Sequence, residues 1–480
     1  MNYKSIFNLL GILLGIFSLS FVPPLMLTFT YEESGREIFL YSFIFFFILG
    51  GSIWAATRQQ NLPLNISDGF IITTLFWVVL ACAGSIPFYF FGLSINDAIF
   101  ESVSGITTTG ATTIVGLDSL PKSILLYRQL LQWIGGMGLI VLAVAVMPAL
   151  GIGGGQLYKM ELPGSHGNQK LTPKITDSAK ALWKIYVGLT FVCAMLYLLS
   201  GMTLFDSIAH SLSTVAGGGF STHDESIGFF NSAIIETVCI IFMLLSAASF
   251  AVHYVAIFGG KPLKYFYDSE FRFFLSVVLL IILLSLMVHI LSNSYADVFS
   301  AISTSIFHTV SIVTTSGFTT ENFSLWPGFL PYLLLVGAFM GACSQSVGGG
   351  IKAWRVLIMV NQAYKEILKT IHPNAVLTSK IGTKVIDAKI AEKVWGFFSI
   401  YVFIFMLLLM AMLGTGLSFE TAFSAVGACL NNLGPGLGDV ASNYTSVNEF
   451  GKFILCFAMI LGRLEIFTLL VLFTPAFWRR

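Results

Sequence analysis

The stretch His308-Thr-Val-Ser-Ile-Val-Thr-Thr-Ser-Gly317-Phe-Thr-Thr320 occurs in this chain in four related versions. The other three are Glu101-Ser-Val-Ser-Gly-Ile-Thr-Thr-Thr-Gly110-Ala-Thr-Thr113, His210-Ser-Leu-Ser-Thr-Val-Ala-Gly-Gly-Gly219-Phe-Ser-Thr222 and Ala425-Val-Gly-Ala-Cys-Leu-Asn-Asn-Leu-Gly434-Pro-Gly-Leu437. Each is a run of small and apolar residues that is too short to cross a membrane and that ends around a glycine. Four such stretches in equivalent places indicate an internal repeat rather than four unrelated loops.

The composition around these stretches is that of a membrane protein. Of the 480 residues, 56% are hydrophobic and 10% are charged, and the mean hydropathy is +0.85. A soluble domain carries about 25% charged residues, so a cytosolic enzyme, a disordered hub and a secreted disulfide scaffold are excluded. The net charge of +1 gives no indication of a nucleic-acid partner. Because helices satisfy their own backbone in lipid, we predict an all-α polytopic protein of the lipid bilayer.

Apolar runs of sufficient length predict about ten spanning helices. They lie at residues 6–29, 38–57, 69–93, 124–148, 181–201, 230–258, 271–292, 328–360, 393–416 and 449–475. The run at 328–360 is too long for one helix and is interrupted by Ser344-Gln345-Ser346-Val347-Gly348-Gly349-Gly350.

Two spans around each glycine stretch give a unit of helix, half-helix, glycine loop and helix. The predicted domains are an N-terminal helix pair at 1–66 and pore repeats at 67–160, 161–262, 263–380 and 381–480. The third repeat has the broken second helix.

Most of the 25 basic residues fall on one side of the predicted spans. They cluster at 159–184, 261–272 and 352–393 and near both termini. Positive charge marks the cytoplasmic side, so we expect both termini inside and the four glycine stretches outside. Most acidic residues beyond the cytoplasmic loops then face outward, where they would concentrate cations; ordinary solvated loops are the alternative reading of these acids.

Four half-helices that meet around one axis would form a cation pore. The C-terminal end of a helix carries about half a negative charge, and glycine leaves the backbone free to turn its carbonyl groups inward. A ring of such carbonyl groups can replace the hydration shell of a cation.

The whole chain resembles the Trk/Ktr/HKT superfamily of potassium transporters and is most similar to its TrkH-type bacterial uptake subunits. Besides the glycine stretches, the supporting motifs are Gln132-Trp-Ile-Gly-Gly-Met-Gly138, Gly348-Gly-Gly-Ile-Lys352 and Gly462-Arg-Leu-Glu465. The resemblance implies potassium uptake across the bacterial inner membrane, no enzymatic activity and no cofactor. A membrane-embedded hydrolase is disfavoured because the sequence has no Gly-x-Ser-x-Gly or His-Glu-x-x-His motif.

The resemblance also implies that a K⁺ selectivity filter is built from the residues at and just before the four glycines. These residues are Thr108, Thr109, Gly110, Gly217, Gly218, Gly219, Thr315, Ser316, Gly317, Asn432, Leu433 and Gly434. In the family, glycine at all four positions goes with K⁺, and serine at the first goes with sodium-permeable relatives. Gly110 therefore favours K⁺, and a Na⁺ or mixed Na⁺/K⁺ transporter of the same fold is the alternative.

The interruption within 328–360 is the second candidate site. Irregular backbone at membrane depth is tolerated only where it is buried in protein or lines a water-filled cavity, so a break in the third repeat alone points to the ion pathway. The resemblance implies a loop that gates the pore below the filter. The predicted gate residues are Ser344, Gln345, Ser346, Gly348, Gly349, Gly350, Lys352 and Arg463. A glycine-rich packing seam between helices is the alternative.

Arg463 is a charge deep inside the last predicted span. An isolated arginine there costs at least about 2.5–3.5 kcal/mol, so something must offset it. The resemblance implies that Arg463 projects into the pore near the gate. A pair with an acid such as Glu465 is the alternative, although residues two apart lie on different faces of a helix.

Further polar residues recur in phase with the glycines. His210 and His308 stand where the first repeat has Glu101, and we expect them to pack behind the filter or to act as a pH-sensitive brace. Asp97 and Asp206 are expected to cap the half-helices.

Partners follow from the resemblance, which implies a homodimer and a cytoplasmic TrkA-type nucleotide-binding regulatory subunit. The chain carries no phosphate-binding Gly-x-x-x-x-Gly-Lys-Ser/Thr motif of its own. The basic segments 159–184 and 352–393 are candidate docking surfaces, and plain positive-inside charge is the alternative.

Overall fold

The computed structural model describes residues 3–58, 66–146, 175–375, 380–382 and 384–479. The regular structure of these residues is helical, apart from the short antiparallel pair β1 (Lys380–Ile381) and β2 (Lys384–Val385). The predicted all-α fold is confirmed.

An antiparallel helix pair opens the chain. It consists of α1 (Tyr3–Ser18), α2 (Val22–Thr30) and α3 (Arg36–Thr57). Gly11 and Gly15 of α1 face Gly50 of α3 so closely that a Cβ atom at Gly50 would lie 2.6 Å from the Gly15 nitrogen. Small residues allow helix backbones to touch in this way.

Four groups of helices follow in the predicted order. The first contains α4 (Ile66–Phe90), α5 (Ile95–Ile106) and α6 (Lys122–Val146). The second contains α7 (Ile175–Leu199), α8 (Leu204–Ala216), α9 (Ala233–Ala247) and α10 (Phe250–Ile257), with α11 (Lys264–Tyr267) as a connection. The third contains α12 (Ser269–Leu291), α13 (Val298–Val313), α14 (Leu330–Met340) and α15 (Ala353–Ile371). The fourth contains α16 (Ala388–Leu413), α17 (Phe419–Leu430), α18 (Glu449–Arg463), α19 (Phe467–Leu470) and α20 (Pro475–Trp478). The exact repeat boundaries stay a prediction.

The half-helices α5, α8, α13 and α17 have 12, 13, 16 and 12 residues. At 1.5 Å per residue each is shorter than the roughly 30 Å apolar layer of a bilayer. Ser94 and Thr203 cap α5 and α8, whereas Asp97 and Asp206 lie in the first turn and bind the capping hydroxyl groups at 2.7 Å. The expectation that these two aspartates are the caps is therefore wrong. Ser94 and Thr203, three residues before the aspartates, have the extended backbone that an N-cap residue requires.

Within the part of the chain that the structure describes, three second helices are broken rather than one. The axis bends by 103° between α9 and α10 and by 107° at the end of α18, besides the interruption between α14 and α15. The prediction of a break in the third repeat alone is therefore wrong. The last bend runs through Glu465 and Ile466, which both have left-handed φ values, of 53° and 57°. Non-glycine residues seldom adopt this conformation, so the bend could not be predicted from the residue types at these two positions.

Among the described residues, six helices are long and apolar enough to cross a membrane, or up to eight if each bent pair is one span. The two other predicted spans are α6, which ends where the described residues end, and the run 328–360, which is divided into α14, a loop and α15. One apolar cluster joins the N-terminal pair with the first and fourth repeats, and another joins the second and third.

The contact between α1 and α3 gives a stability prediction. We expect Gly50→Ala to lower the midpoint of thermal unfolding in detergent, because forcing a methyl group between touching backbones costs about 1–3 kcal/mol. Gly51→Ala is the matched control, since its Cβ atom would meet nothing within 4 Å, and it should leave the midpoint unchanged or raise it. Equal midpoints for the two variants, measured by size-exclusion chromatography after heating, would contradict the close packing.

Candidate functional site

The four half-helices are each followed by the same backbone pattern. Two residues before each glycine the backbone is left-handed, at Thr108, Gly217, Thr315 and Asn432, with φ of 57°, 63°, 59° and 53°. It is left-handed again at Gly110, Gly219, Gly317 and Gly434, with φ of 84°, 75°, 81° and 98°. Positive φ is uncommon in residues other than glycine, so its recurrence at one position indicates that the four segments share one conformation.

The four segments contact one another in a closed ring. In each segment, the position that a Cβ atom on the glycine would take is occupied by a carbonyl oxygen of the neighbouring segment. That oxygen belongs to the residue just before the neighbouring segment's own glycine. The pairs, glycine first, are Gly110 with Gly218, Gly219 with Ser316, Gly317 with Leu433 and Gly434 with Thr109. A side chain at any of the four glycines would collide with this backbone, and the left-handed φ adds a second reason for glycine.

The predicted filter side chains are buried and support the ring through hydrogen bonds to one another. Thr108, Thr109, Thr315, Ser316, Asn432 and Leu433 are all buried. The hydroxyl groups of Thr107 and Thr109 lie 2.8 Å apart, and the equivalent pair Thr314 and Ser316 lies 2.9 Å apart. The Asn432 amide donates to the Thr109 hydroxyl at 3.0 Å, which ties the fourth segment to the first.

A buried ion pair behind the first segment escaped the sequence analysis. Arg128 of α6 donates to Glu101 of α5 at 2.7 Å, and both side chains are buried. Arg128 also donates to the Ser221 carbonyl oxygen of the second repeat at 3.1 Å and covers the Phe220 ring at 4.1 Å. A single arginine within the predicted span 124–148 was a signal that could have identified it.

Gln132 is the second residue that the sequence analysis missed. Its amide nitrogen donates to the Gly218 carbonyl oxygen at 2.6 Å, and its amide oxygen accepts from Ser213 at 2.6 Å and from the Phe220 nitrogen at 3.1 Å. It therefore fixes both sides of the second segment. The residue lies in a motif used for the resemblance, but nothing in the motif showed where its amide points.

The two histidines in phase with Glu101 act as internal braces. His210 bonds to the Ser221 hydroxyl at 2.9 Å, and His308 bonds to the Glu321 carbonyl oxygen at 3.2 Å, so each reaches the chain just beyond its own glycine. Both rings are buried. These contacts fit the expected packing role behind the filter, and the pH-sensitive alternative stays a prediction.

A cavity of about 420 Å³ opens on one side of the ring. Its walls include all four ring glycines and the acidic residues Asp224, Glu225 and Glu321. We call it the vestibule. Carboxylates around a narrowing mouth raise the local concentration of cations.

The interrupted segment 341–352, which we call the inner loop, packs directly against the ring. The Gly349 nitrogen donates to the Thr315 hydroxyl at 2.6 Å, and a Cβ atom at Gly349 would collide with the Asn431 carbonyl oxygen. The Val347 side chain would lie 3.6 Å from a Cβ atom at Gly217. The loop thus reaches the second, third and fourth segments.

The inner loop also supplies partners for the broken helix of the second repeat. The Cys343 nitrogen donates to the Ala247 carbonyl oxygen at 3.0 Å, and the Phe250 nitrogen donates to the Gln345 carbonyl oxygen at 3.0 Å. Both bonds lie at the bend between α9 and α10. At membrane depth, backbone N–H and C=O groups that a break leaves without a helical partner must find one within the protein. Here the groups at the bend between α9 and α10 bond to the groups of the inner loop.

Charged side chains hold the ends of the inner loop. Glu270 of α12 accepts from the Ser344 nitrogen at 2.5 Å and from the Trp354 nitrogen at 3.1 Å. Within the loop, Ser346 donates to the Cys343 carbonyl oxygen at 2.5 Å, and the Lys352 ammonium donates to the Gly348 carbonyl oxygen. Glu270 was not predicted, because its partners are backbone nitrogens.

Arg463 anchors the centre of the inner loop. It donates to the Val347 carbonyl oxygen at 2.8 Å and to the Gly135 carbonyl oxygen of α6 at 2.7 Å. Glu465 forms its ion pair with Arg355 instead, so the structure brings Arg463 to the predicted gate and does not pair it with Glu465. The break at the end of α18 therefore meets the inner loop, as the break between α9 and α10 does.

The chain is similar to known cation transport proteins over nearly its whole length. The family model TrkH, described as a cation transport protein, matches residues 35–480. The Trk system potassium uptake protein TrkH of Vibrio parahaemolyticus is 47% identical, and that of Escherichia coli K12 is 46% identical, with 100% of each chain covered. The crystal structure of the potassium transporter TrkH from Vibrio parahaemolyticus superimposes with a TM-score of 0.91 at 45% identity, also over 100% of both chains.

His223 joins the first and second repeats at the vestibule and gives a pH prediction. Its ring hydrogen-bonds to Asp118, lies 3.5 Å from the Asp206 carboxylate and stacks on Phe229 at 3.5 Å, with the His210 ring 6.4 Å away. Burial lowers the pKa of His223, but the carboxylates of Asp206 and Asp118 outweigh it, so the pKa is raised above its usual value. The protonated ring thus stabilises the fold below about pH 6.5, and this contribution is lost as the pH rises through the raised pKa.

We therefore expect His223→Gln to lower the thermal midpoint at about pH 5.5 and to matter less as the pH rises through the raised pKa of His223. The exposed His372 provides the control His372→Gln, which should change the midpoint at neither pH. A difference between wild type and His223→Gln that is constant with pH would contradict the charged interaction.

Proposed function

The chain belongs to the TrkH family of cation transport proteins, and from that premise we propose that it takes up K⁺ across the bacterial inner membrane through a gated, K⁺-selective pore. It is a multi-pass membrane transport protein, not an enzyme, and K⁺ is its transported ion rather than a cofactor. The observation that carries the proposal is the closed ring of four glycine segments between an acidic vestibule and a loop.

In the proposed function the ring is the selectivity filter. A dehydrated cation needs several oxygen atoms at once, and the ring brings four equivalent stretches of backbone together without intervening side chains. The acidic vestibule supplies cations to it. Gly110 supports K⁺ over Na⁺ through the family pattern, and a Na⁺ or mixed Na⁺/K⁺ transporter is the second candidate.

The inner loop is the proposed gate. It covers the ring on the side away from the vestibule and is held by hydrogen bonds that a modest movement could break, including those of Arg463 and Thr315. The Arg463 charge would also raise the energy of a K⁺ about 10 Å away by about 1.7 kcal/mol at an effective dielectric constant near 20. The inner loop interrupts the second helix of the third repeat and contacts the breaks of the second and fourth repeats. Movement of several repeats can therefore reach the ring through this loop.

Regulation is proposed to come from other chains. The relatives are named as parts of a Trk system, which supports partner subunits, and we propose a homodimer and a cytoplasmic TrkA-type nucleotide-binding subunit. The basic helix surface with the half-buried Lys365 and the exposed Lys369 faces the predicted cytoplasm and is a candidate docking surface. Lys159, Lys170 and Lys174 of the other predicted surface lie outside the described residues.

The decisive experiment is uptake of Rb⁺, a K⁺ surrogate, into proteoliposomes, with K⁺ and Na⁺ as competitors. We expect K⁺ to compete and Na⁺ to compete far less, and we expect Gly110→Ser to reduce this difference. The serine side chain would meet the Gly218 carbonyl oxygen within the ring.

Gly92→Ser is the matched control for backbone strain. Gly92 has a φ of 104° but no neighbour within 4 Å of its Cβ position, so the control should keep the wild-type preference. Equal competition by both ions in the wild type would favour the mixed-cation alternative. An unchanged preference in Gly110→Ser would reject the assignment of the filter.

Arg463→Ala tests the gate. Removal of its bonds to Val347 and Gly135 should loosen the inner loop and raise Rb⁺ uptake, measured without a regulatory subunit, by about tenfold, the factor that corresponds to one charge-assisted hydrogen bond. Arg272→Ala, at an exposed arginine on the same predicted side, should leave uptake unchanged. Unchanged or reduced uptake by well-folded Arg463→Ala would count against an anchored gate.

A further inference from the structure

The fourth repeat braces its glycine segment with a different set of residues from the other three. Nine residues before its glycine, each of the first three repeats has a polar side chain, Glu101, His210 or His308, and the fourth has Ala425. Glu101 accepts from the Thr113 nitrogen at 3.1 Å, and the two histidines make equivalent contacts beyond their glycines. Alanine has no polar side-chain atom, and α17 instead holds its segment through the neighbouring Ser424, whose hydroxyl group accepts from the Leu437 nitrogen at 2.8 Å.

Tyr444 holds that segment from the opposite direction. Its hydroxyl group donates to the Gly434 carbonyl oxygen at 2.7 Å. The side chain is only 1% exposed, and its ring lies against Phe100 with 5.4 Å between centroids. A buried carbonyl group without a donor is costly, so this hydroxyl fixes the orientation of the peptide that follows the glycine.

The same residue joins the fourth segment to the first. The Tyr444 nitrogen donates to the Thr112 carbonyl oxygen at 2.8 Å. The Thr112 hydroxyl donates to Glu101 at 3.0 Å and accepts from Arg128 at 3.1 Å. Tyr444 thus lies where the ring closes and is connected to the buried ion pair of the first repeat.

Pro435 explains why this joint needs a hydroxyl group. In the second segment the residue after the glycine is Phe220, whose nitrogen donates to Gln132 at 3.1 Å. Proline has no N–H group, so the fourth segment cannot be held by the equivalent bond. The Gly434 carbonyl is the group of this peptide that can still accept one.

We infer that Tyr444 is a specificity-determining positioning residue whose hydroxyl group sets the geometry of the fourth side of the ring. The inference rests on the proposed function, K⁺-selective transport. A ring of backbone oxygens distinguishes cations through the spacing and number of those oxygens. Release of one segment out of four therefore changes the preference between cations while transport continues.

The test is Tyr444→Phe, which removes one oxygen atom and leaves the ring against Phe100. The readout is the Na⁺ concentration that halves Rb⁺ uptake divided by the corresponding K⁺ concentration. We expect this ratio to fall roughly two- to tenfold, as for the loss of one buried hydrogen bond. The control is Tyr127→Phe, because the Tyr127 hydroxyl donates to the Gly84 carbonyl oxygen at 2.9 Å, is equally buried and lies away from the ring.

The outcomes separate the inference from the proposed function. A wild-type ratio near one would reject K⁺-selective transport itself. A selective wild type with an unchanged ratio in Tyr444→Phe, or an equal fall in Tyr127→Phe, would overturn the role of Tyr444 alone. If Tyr444→Phe transports too slowly to measure, the thermal midpoint of the purified protein is measured in K⁺ and in Na⁺. A bound ion stabilises the folded protein, so the difference between the two midpoints reports the same preference without transport. An unchanged difference there would also overturn the inference.

Discussion

Backbone that is not helical can exist at membrane depth only if the protein itself satisfies its polar groups, and this constraint governs the whole structure. The ring of glycine segments meets it with neighbouring carbonyl groups, buried hydroxyl groups and the amides of Gln132 and Asn432. The inner loop meets it by exchanging hydrogen bonds with the bend between α9 and α10 and with Arg463. Ring and loop are therefore parts of one buried polar network in an otherwise apolar protein.

The backbone of the ring is nearly fourfold, but the chemistry that supports it is not. The first segment rests on an ion pair, the second on a histidine and Gln132, and the third on a histidine and the Ser311 hydroxyl. The fourth rests on the Ser424 hydroxyl and on a tyrosine from outside its half-helix. Equal backbone geometry with unequal support means that the four sides differ in stiffness. A network in which each member is hydrogen-bonded favours one arrangement, and the same support limits how far any one side can adapt.

Much of this architecture could be predicted from the sequence, since small residues ending in glycine at four equivalent positions require four similar turns. The all-α membrane fold, the half-helices and the position of the inner loop followed from apolar length and from the glycines. What could not be predicted were contacts between distant residues, such as Arg128 with Ser221 or Glu270 with the loop nitrogens. The bends after Ala247 and at Glu465 also gave no signal, because neither contains a glycine.

The closure of the ring joins residues that are far apart in the chain, since the amide of Asn432 and the hydroxyl of Thr109 are separated by 323 positions. During synthesis at about 5–20 residues per second, the first glycine segment waits roughly a quarter of a minute to a minute for its last neighbour. Until the fourth repeat enters the bilayer, three segments have no complete ring to form. A nascent or truncated chain that lacks the fourth repeat therefore holds no closed ring of glycine segments.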